Sequence, residues 1–272
     1  SSDLITDLAI NDDGTGFHIV PAALAQKTHA TLPAASLAGR LRRLTDRTRG
    51  AWLDTGTQWV SLSSAVADIK EFGAVGVTGV DDTAAIQAAL DAIDNQGGGI
   101  VQVPPGTYEI TRLTLGDHTW LRGAGAHASI LKNTQTSANH GMVTNKNQTD
   151  GNTNLKVTDL TLHRTVNVSA TGNFNEAIYF KSSKYIWIDR NRVIGAATGT
   201  NNTNTKGISC EGCTYIWIRG NVLYNIGDNS IAINWSGVRS DGFAHVTDNV
   251  MELNGSPSWV HSGVVVTADH CV

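Results

Sequence analysis

Residues 204–234, NTKGISCEGCTYIWIRGNVLYNIGDNSIAIN, fit neither a helix nor an ordinary alternating strand. Three short apolar segments, Ile208 to Cys210, Tyr215 to Ile218 and Ile231 to Ile233, are cut apart by Gly, Asn and Asp. Strands this short, bounded by turn residues and lacking helical periodicity, describe a chain that changes direction every few residues. YIWIRGN at 215–221 also restates YIWIDRN at 185–191.

Outward from this stretch the repetition continues. NLKVTDL, YIWIDRN, YIWIRGN and AHVTDNV begin at or next to Leu155, Tyr185, Tyr215 and Phe243, at intervals of 30, 30 and 28 residues. Between them lie AIYF, GISC, SIAIN and GVVV. Two or three short strands in each period of about 20–30 residues are the pattern of a parallel β-solenoid, whose coils bury their inward side chains by stacking on one another. Asn191, Asn221 and Asn249 fall at one point of successive coils and predict an internal ladder of side-chain amides. Trp187 and Trp217 share a coil position and are expected to stack. SGVVVTADHCV ends in mid-pattern without a cap, so the sequence reads as a fragment of a longer chain.

Composition agrees with an all-β reading. The 272 residues include 28 Gly and 5 Pro, which suits a turn-rich protein. Charged residues make up 16% and the net charge is −4, which argues against a nucleic-acid partner. The one basic run, Arg40 to Arg49, alternates with Leu, Thr and Asp and reads as a solvated strand face. No apolar run approaches the roughly 18 residues of a membrane span, so no membrane insertion is expected. SSDLITDLAIND has neither the basic nor the apolar region of a signal peptide. Cys210 and Cys213 form a CxxC, but no second pair with ligand spacing follows. Both read as buried fillers, and no metal or other cofactor is expected.

Residues 1–64 differ from the rest. GRLRRLTDRTRGAWLDTGTQWVSL reads as three strands joined by turns, hence a small N-terminal β module, with SSAVAD at 63–68 as the junction to a solenoid over 65–272. DDTAAIQAALDA then predicts a helix over 82–95. Asp81 or Asp82 is its N-cap, Ile86, Ala89, Leu90 and Ile93 share one face, and NQGGG ends it. A solenoid needs a lid on its open N-terminal end, and this helix is placed to be one.

DDTAAIQAALDA, GGGIVQVPPGTY and LRGAGA, over about residues 66–130, together resemble the opening of the pectate-lyase-like right-handed β-helix superfamily, especially phage tailspikes and related exopolysaccharide-acting proteins. The resemblance implies a right-handed parallel β-helix with one N-terminal capping α-helix. It also implies a bacterial surface polysaccharide as ligand, a homotrimer, and a virion (phage tail) or extracellular location. The segment 40–62 resembles short β segments of phage tail and fibre proteins.

Aligning the apolar triplets locates a candidate site. Two positions before the first inward residue stand Glu176, Lys206, Asn229 and Ser262; three positions before it stand Asn175, Thr205, Asp228 and His261. A glycosidase needs two carboxyls, one protonated and one ionised, and a lyase needs a base beside cations that neutralise an acidic sugar. The same segments are similar to the polygalacturonase family of glycoside hydrolases, where NTDG, GDDCIAI and GHG occupy successive coils. Here the counterparts are NTKG at 204–207, GDNSIAIN at 227–234 and HSG at 261–263. Lys206 and Asn229 replace two Asp, His261 is one place early, and Asp228 remains of three carboxylates. The expectation is that Asp228 and Glu176 are catalytic and that Lys206, Asn229, His261, Trp235 and Trp259 hold the sugar. Glu211 and Asp189 read as surface residues. A depolymerase (hydrolase or lyase), a binding-only adhesin and a structural virion piece all fit this pattern.

Overall fold

A computed structural model describes residues 65–133, 141–165, 176–195, 206–234, 242–252 and 263–267, together with the backbone of five N-terminal strands. Those five, Leu8–Asn11, His18–Ile19, Arg40–Arg43, Ala51–Asp54 and Trp59–Ser61, form one antiparallel sheet. The basic segment expected as a strand is one over Arg40–Arg43.

From residue 66 onward the chain winds as a right-handed parallel β-helix with three walls. The first wall comprises Val66–Asp68, Gly99–Val103, Thr119–Gly123, Thr153–Thr158, Lys184–Asp189, Thr214–Arg219 and Ala244–Thr247. The second comprises Gly106–Ile110, Ser129–Asn133, Thr161–Arg164, Arg192–Ile194, Val222–Tyr224 and Val250–Glu252. The third comprises Leu113–Leu115, Val143–Asn145, Ile178–Lys181, Ile208–Glu211, Ile231–Asn234 and Val264–Thr267. SSAVAD therefore already contains the first strand of the first wall, paired in parallel with Gly99–Val103.

Register follows the inward apolar columns. Leu113, Val143, Ile178, Ile208, Ile231 and Val264 stack in one line on the third wall. Leu155, Ile186 and Ile216 do so on the first. The repeat starting at Leu155 is thus offset by one residue from the sequence expectation: Asn154, and not Leu155, shares a column with Tyr185 and Tyr215. The reason is the period of two in a strand, since Leu155 placed in the Tyr185 column would point its side chain outward. Fully burying each aliphatic side chain contributes about 1.5–3 kcal/mol.

The helix, Thr83–Asn95, buries Ile86, Ala89, Leu90 and Ile93 in the core beneath the first coils. Asp82 stands at the N-cap position, yet its carboxylate accepts from Val75 and Gly76, fixing the loop before the helix. Asp81 takes the Thr83 amide instead, at 2.9 Å.

The first corner, between first and second walls, turns through one left-handed residue per coil. Asp159, Arg190, Gly220 and Asp248 have φ of 60°, 54°, 62° and 58°. Holding a non-glycine residue there costs on the order of 1 kcal/mol, and the asparagine ladder immediately after it opposes that cost. Asn191 and Asn221 donate through Nδ2 to Oδ1 of Asn221 and Asn249, at 3.1 and 2.9 Å. The same Oδ1 atoms accept the Asn191 and Asn221 amides at 2.9 Å. Trp187 and Trp217 stack on the outer face with ring centroids 4.9 Å apart and planes within 3°. Asp189, expected on the surface, is buried, with its carboxylate held by both nitrogens of the Arg219 fork at 3.1 and 2.8 Å. Its position at the foot of the first corner turns it into the coil-to-coil pair.

Candidate functional site at the second corner

The second corner, between second and third walls, differs from the first in the length of its connections. After a first connection of two residues, 111–112, they are 134–142, 165–177, 195–207, 225–230 and 253–263, against two residues such as 159–160, 190–191 and 220–221 at the first corner. Long connections on a rigid coil stack are where a binding function can be added without disturbing the core.

Glu176, Lys206 and Asn229 meet here at one position of three successive coils. The Ala177 amide donates to the carbonyls of Lys206 and Gly207 at 3.3 and 3.0 Å, and the Gly207 amide donates to that of Asn229 at 3.2 Å. Asp228 precedes Asn229, and both are half-buried, as is Lys206. Two coil steps, about 9.6 Å at ~4.8 Å each, therefore separate the backbones that carry Glu176 and Asp228. His261, Trp235 and Trp259 lie outside the described residues, as do Asn175, Thr205 and Ser262.

Glu176 is only 1% exposed. Burial pushes its carboxyl up to about 7, although its own amide, Lys206, Arg164 and the Gly141 amide all favour the ionised form. A carboxyl poised near neutrality can take or give a proton at physiological pH. Arg164, at the end of its second-wall strand, is 3% exposed and donates from Nη1 to the Glu176 carbonyl. Burial lowers its pKa to about 10, with Glu176 opposing that shift and Arg112 adding to it. Burial likewise lowers Arg112, and Glu176 opposes it. Tyr179, three residues after Glu176, is buried and donates its hydroxyl to Glu211 at 2.8 Å, while Lys181 pairs with Glu211 at 3.1 Å. Glu211 is thus partly exposed and tied into a network. Thr144, Tyr179 and Ser209, the outward residues of the third wall, are all buried, unlike the half-exposed outward Trp187 and Trp217 of the first.

Sequence alignment of the coils brings Glu176, Lys206, Asp228 and Asn229 to one corner, and the backbone register agrees. It missed Arg164 and Arg112. A signal existed for Arg164: its equivalents in the neighbouring coils are Asn133 and Gly195, so a cation interrupts a column of small or amide residues. Among the described residues no cluster of His, Cys, Asp and Glu has metal-binding geometry. Cys210 and Cys213 are fully buried free thiols.

Comparison with known proteins agrees with this architecture. The chain is 42% identical over 79 residues to the mannuronan C5-epimerase AlgE6 of Azotobacter vinelandii, covering 26% of this chain and 9% of that one. It is 29% identical over 187 residues to YobO of Bacillus subtilis, described as phage-related, covering 62% of this chain and 22% of that one. The chain thus spans a small part of either relative. The family 28 exopolygalacturonase of Yersinia enterocolitica superposes with a TM-score of 0.51 at 14% identity, over 80% of this chain and 55% of that one, a likeness of fold. The family model described as rhamnogalacturonase A/epimerase, pectate lyase-like, matches residues 66–271, and the chain belongs to that family.

Proposed function

We propose that this protein is a phage tailspike-like depolymerase of a bacterial surface polysaccharide, acting at the second corner. The observation that carries the reading is Glu176, a carboxyl held near neutrality by burial, in register with Lys206 of the next coil and Asn229 of the one after. Glu176 serves as the proton-transfer group. Asp228 supplies the second carboxyl, and Lys206 and Asn229 bind the sugar, with His261, Trp235 and Trp259 as further contacts. The two coil steps between their backbones, about 9.6 Å, are comparable with the ~6.5–9.5 Å between carboxyls that leaves room for an attacking water in an inverting glycosidase. The family match and the partial likeness to YobO support the polysaccharide and phage parts of the reading.

A binding-only role is the second reading. It is favoured by Lys206 and Asn229 standing where polygalacturonases carry acids. The burial of Glu176 favours it too, because Lys206, Asp228 and Asn229 are more exposed than the carboxyl meant to do the chemistry. Incubation with a panel of capsular and O-antigen polysaccharides, scoring reducing ends and unsaturated products, separates the two. Reducing ends alone indicate hydrolysis, and reducing ends with ultraviolet-absorbing products indicate elimination. Retention of a polysaccharide with neither product supports the adhesin.

A further inference from the structure

Arg164 is out of place for a coil corner. Its neighbours in the column are Asn133, which donates to the Ile110 and Thr111 carbonyls, and Gly195. A 3%-exposed guanidinium carries a heavy desolvation cost unless a charge or strong acceptors compensate. Glu176 supplies compensation through its carbonyl and through the attraction of its carboxyl. Residues 164 and 176 also bracket the connection 165–175, so the guanidinium ties the two ends of that connection together.

We propose that Arg164 is the positioning residue of the second corner: it anchors the peptide that carries Glu176 and places a fixed positive charge near its carboxyl. The other groups acting on that carboxyl are Lys206 from the following coil and the amides of Glu176 itself and Gly141, while Tyr179, three residues on, donates its hydroxyl to Glu211. Arg112, two coils earlier, feels Glu176 as well. Lys206 is half-exposed and contributes charge. Arg164 contributes both charge and a backbone anchor, since its guanidinium stays charged while Nη1 donates to the Glu176 carbonyl. The catalytic consequence rests on the reading of Glu176 given under Proposed function; the structural role does not.

Carbon-13 NMR of side-chain carboxyls in the full chain tests it, with the Glu176 signal assigned as the one lost in Glu176→Gln. Arg164→Met removes a cation that favours the ionised form, so the Glu176 midpoint should rise by about one unit or more. An unchanged midpoint, within about 0.3 units in the folded variant, overturns the proposal. Should Arg164→Met fail to fold, Arg164→Lys decides. It keeps the charge and loses the fork, so hydrogen exchange at the Met142 amide, which donates to the Glu176 carbonyl, should accelerate several-fold while the midpoint stays near wild type. Exchange at wild-type rate overturns the anchor. Where a cleaved polysaccharide is found, the pH profile of kcat in Arg164→Met should move in the same direction as the titration, a shift that loss of folded protein alone does not produce. A shifted titration without activity on any polysaccharide leaves the Arg164 role standing and removes the depolymerase.

Discussion

Glu176 and Lys206 occupy the same position of adjacent coils, joined through the Ala177 amide, which donates to the Lys206 carbonyl at 3.3 Å. Lys206 lowers the Glu176 pKa, yet burial outweighs it and leaves the carboxyl at about 7. The consequence for stability has a definite sign. The folded pKa lies above the ordinary 4.5, so the folded state holds the proton more tightly than the unfolded chain. This favourable contribution is complete below about pH 4.5 and is lost as pH rises to about 7. Glu176→Gln cannot ionise and should escape that loss. In paired denaturant titrations from pH 4 to 8, the wild type should lose on the order of 2–3 kcal/mol relative to the variant. Parallel curves for the two proteins would show that Glu176 titrates normally.

The lid helix should prove structural. Ile86 and Ile93 are 0% and 2% exposed against the first coils, and Asp at either position would bury an unpaired carboxylate. A loss of about 3 kcal/mol or more, or aggregation from an exposed coil end, is expected for Ile86→Asp and Ile93→Asp. Melting within a degree of wild type would remove the lid assignment.

The asparagine ladder gives a graded test of the first corner. Asn221 Oδ1 accepts both the amide and Nδ2 of Asn191, and its own Nδ2 donates to the Ile188 carbonyl. Asn221→Ala strands several buried groups at once and should cost about 2–4 kcal/mol, at about 1–3 kcal/mol for each unsatisfied group. Asn249 is less enclosed, so Asn249→Ala should cost less. Chemical denaturation of both variants checks the order.

The thiols offer a simple reactivity measurement. Cys210 is fully buried and its pKa is raised, first by its hydrogen bond with Cys213 and then by burial. Cys213 takes the Ser183 amide at 3.4 Å and donates to the Phe180 carbonyl at 3.3 Å, filling a position in the coil. Neither thiol should react with iodoacetamide in the native protein, and both should react after denaturation. Rapid native labelling of Cys210 or Cys213, read by peptide mass spectrometry, would contradict their role as core fillers.

Much of this fold is legible in the sequence because a coil repeats its own physics. The Asn191, Asn221 and Asn249 positions, the Trp187 and Trp217 pair and the apolar face of the helix each recur or align by simple spacing. The one-residue offset at Leu155 escaped because NLKVTDL starts with a residue whose outward partner in the other coils is aromatic. Asp189 looked like a surface charge since an ion pair with a residue 30 positions away, Arg219 of the next coil, leaves no local trace. The site was half legible. Register brought Glu176, Lys206 and Asn229 together, but burial, which gives Glu176 its chemistry, depends on what surrounds the corner in three dimensions. Arg164 was missed for the same reason: it precedes Glu176 by 12 residues, and only the folded coil shows its contact with the Glu176 carbonyl.

Asp228 carries the last prediction, which separates an enzyme from a binder. It stands in the coil after Lys206, in GDNS, where an aspartate also serves as an ordinary turn residue. Its role in turnover should show in Asp228→Asn, which keeps the side chain's shape while removing the charge and turning one acceptor oxygen into a donor. On a polysaccharide that the wild type cleaves, kcat should fall at least about a hundredfold, with polymer binding and melting temperature nearly unchanged. Glu176→Gln should lower kcat comparably and also abolish the ionisation in its pH profile that lies near 7. If Asp228→Asn retains full turnover while Glu176→Gln loses it, Glu176 works with a partner other than Asp228. If no turnover is present to lose and both variants weaken polymer binding, the corner binds polysaccharide without cleaving it, and binding unchanged in both places the polymer elsewhere on the chain.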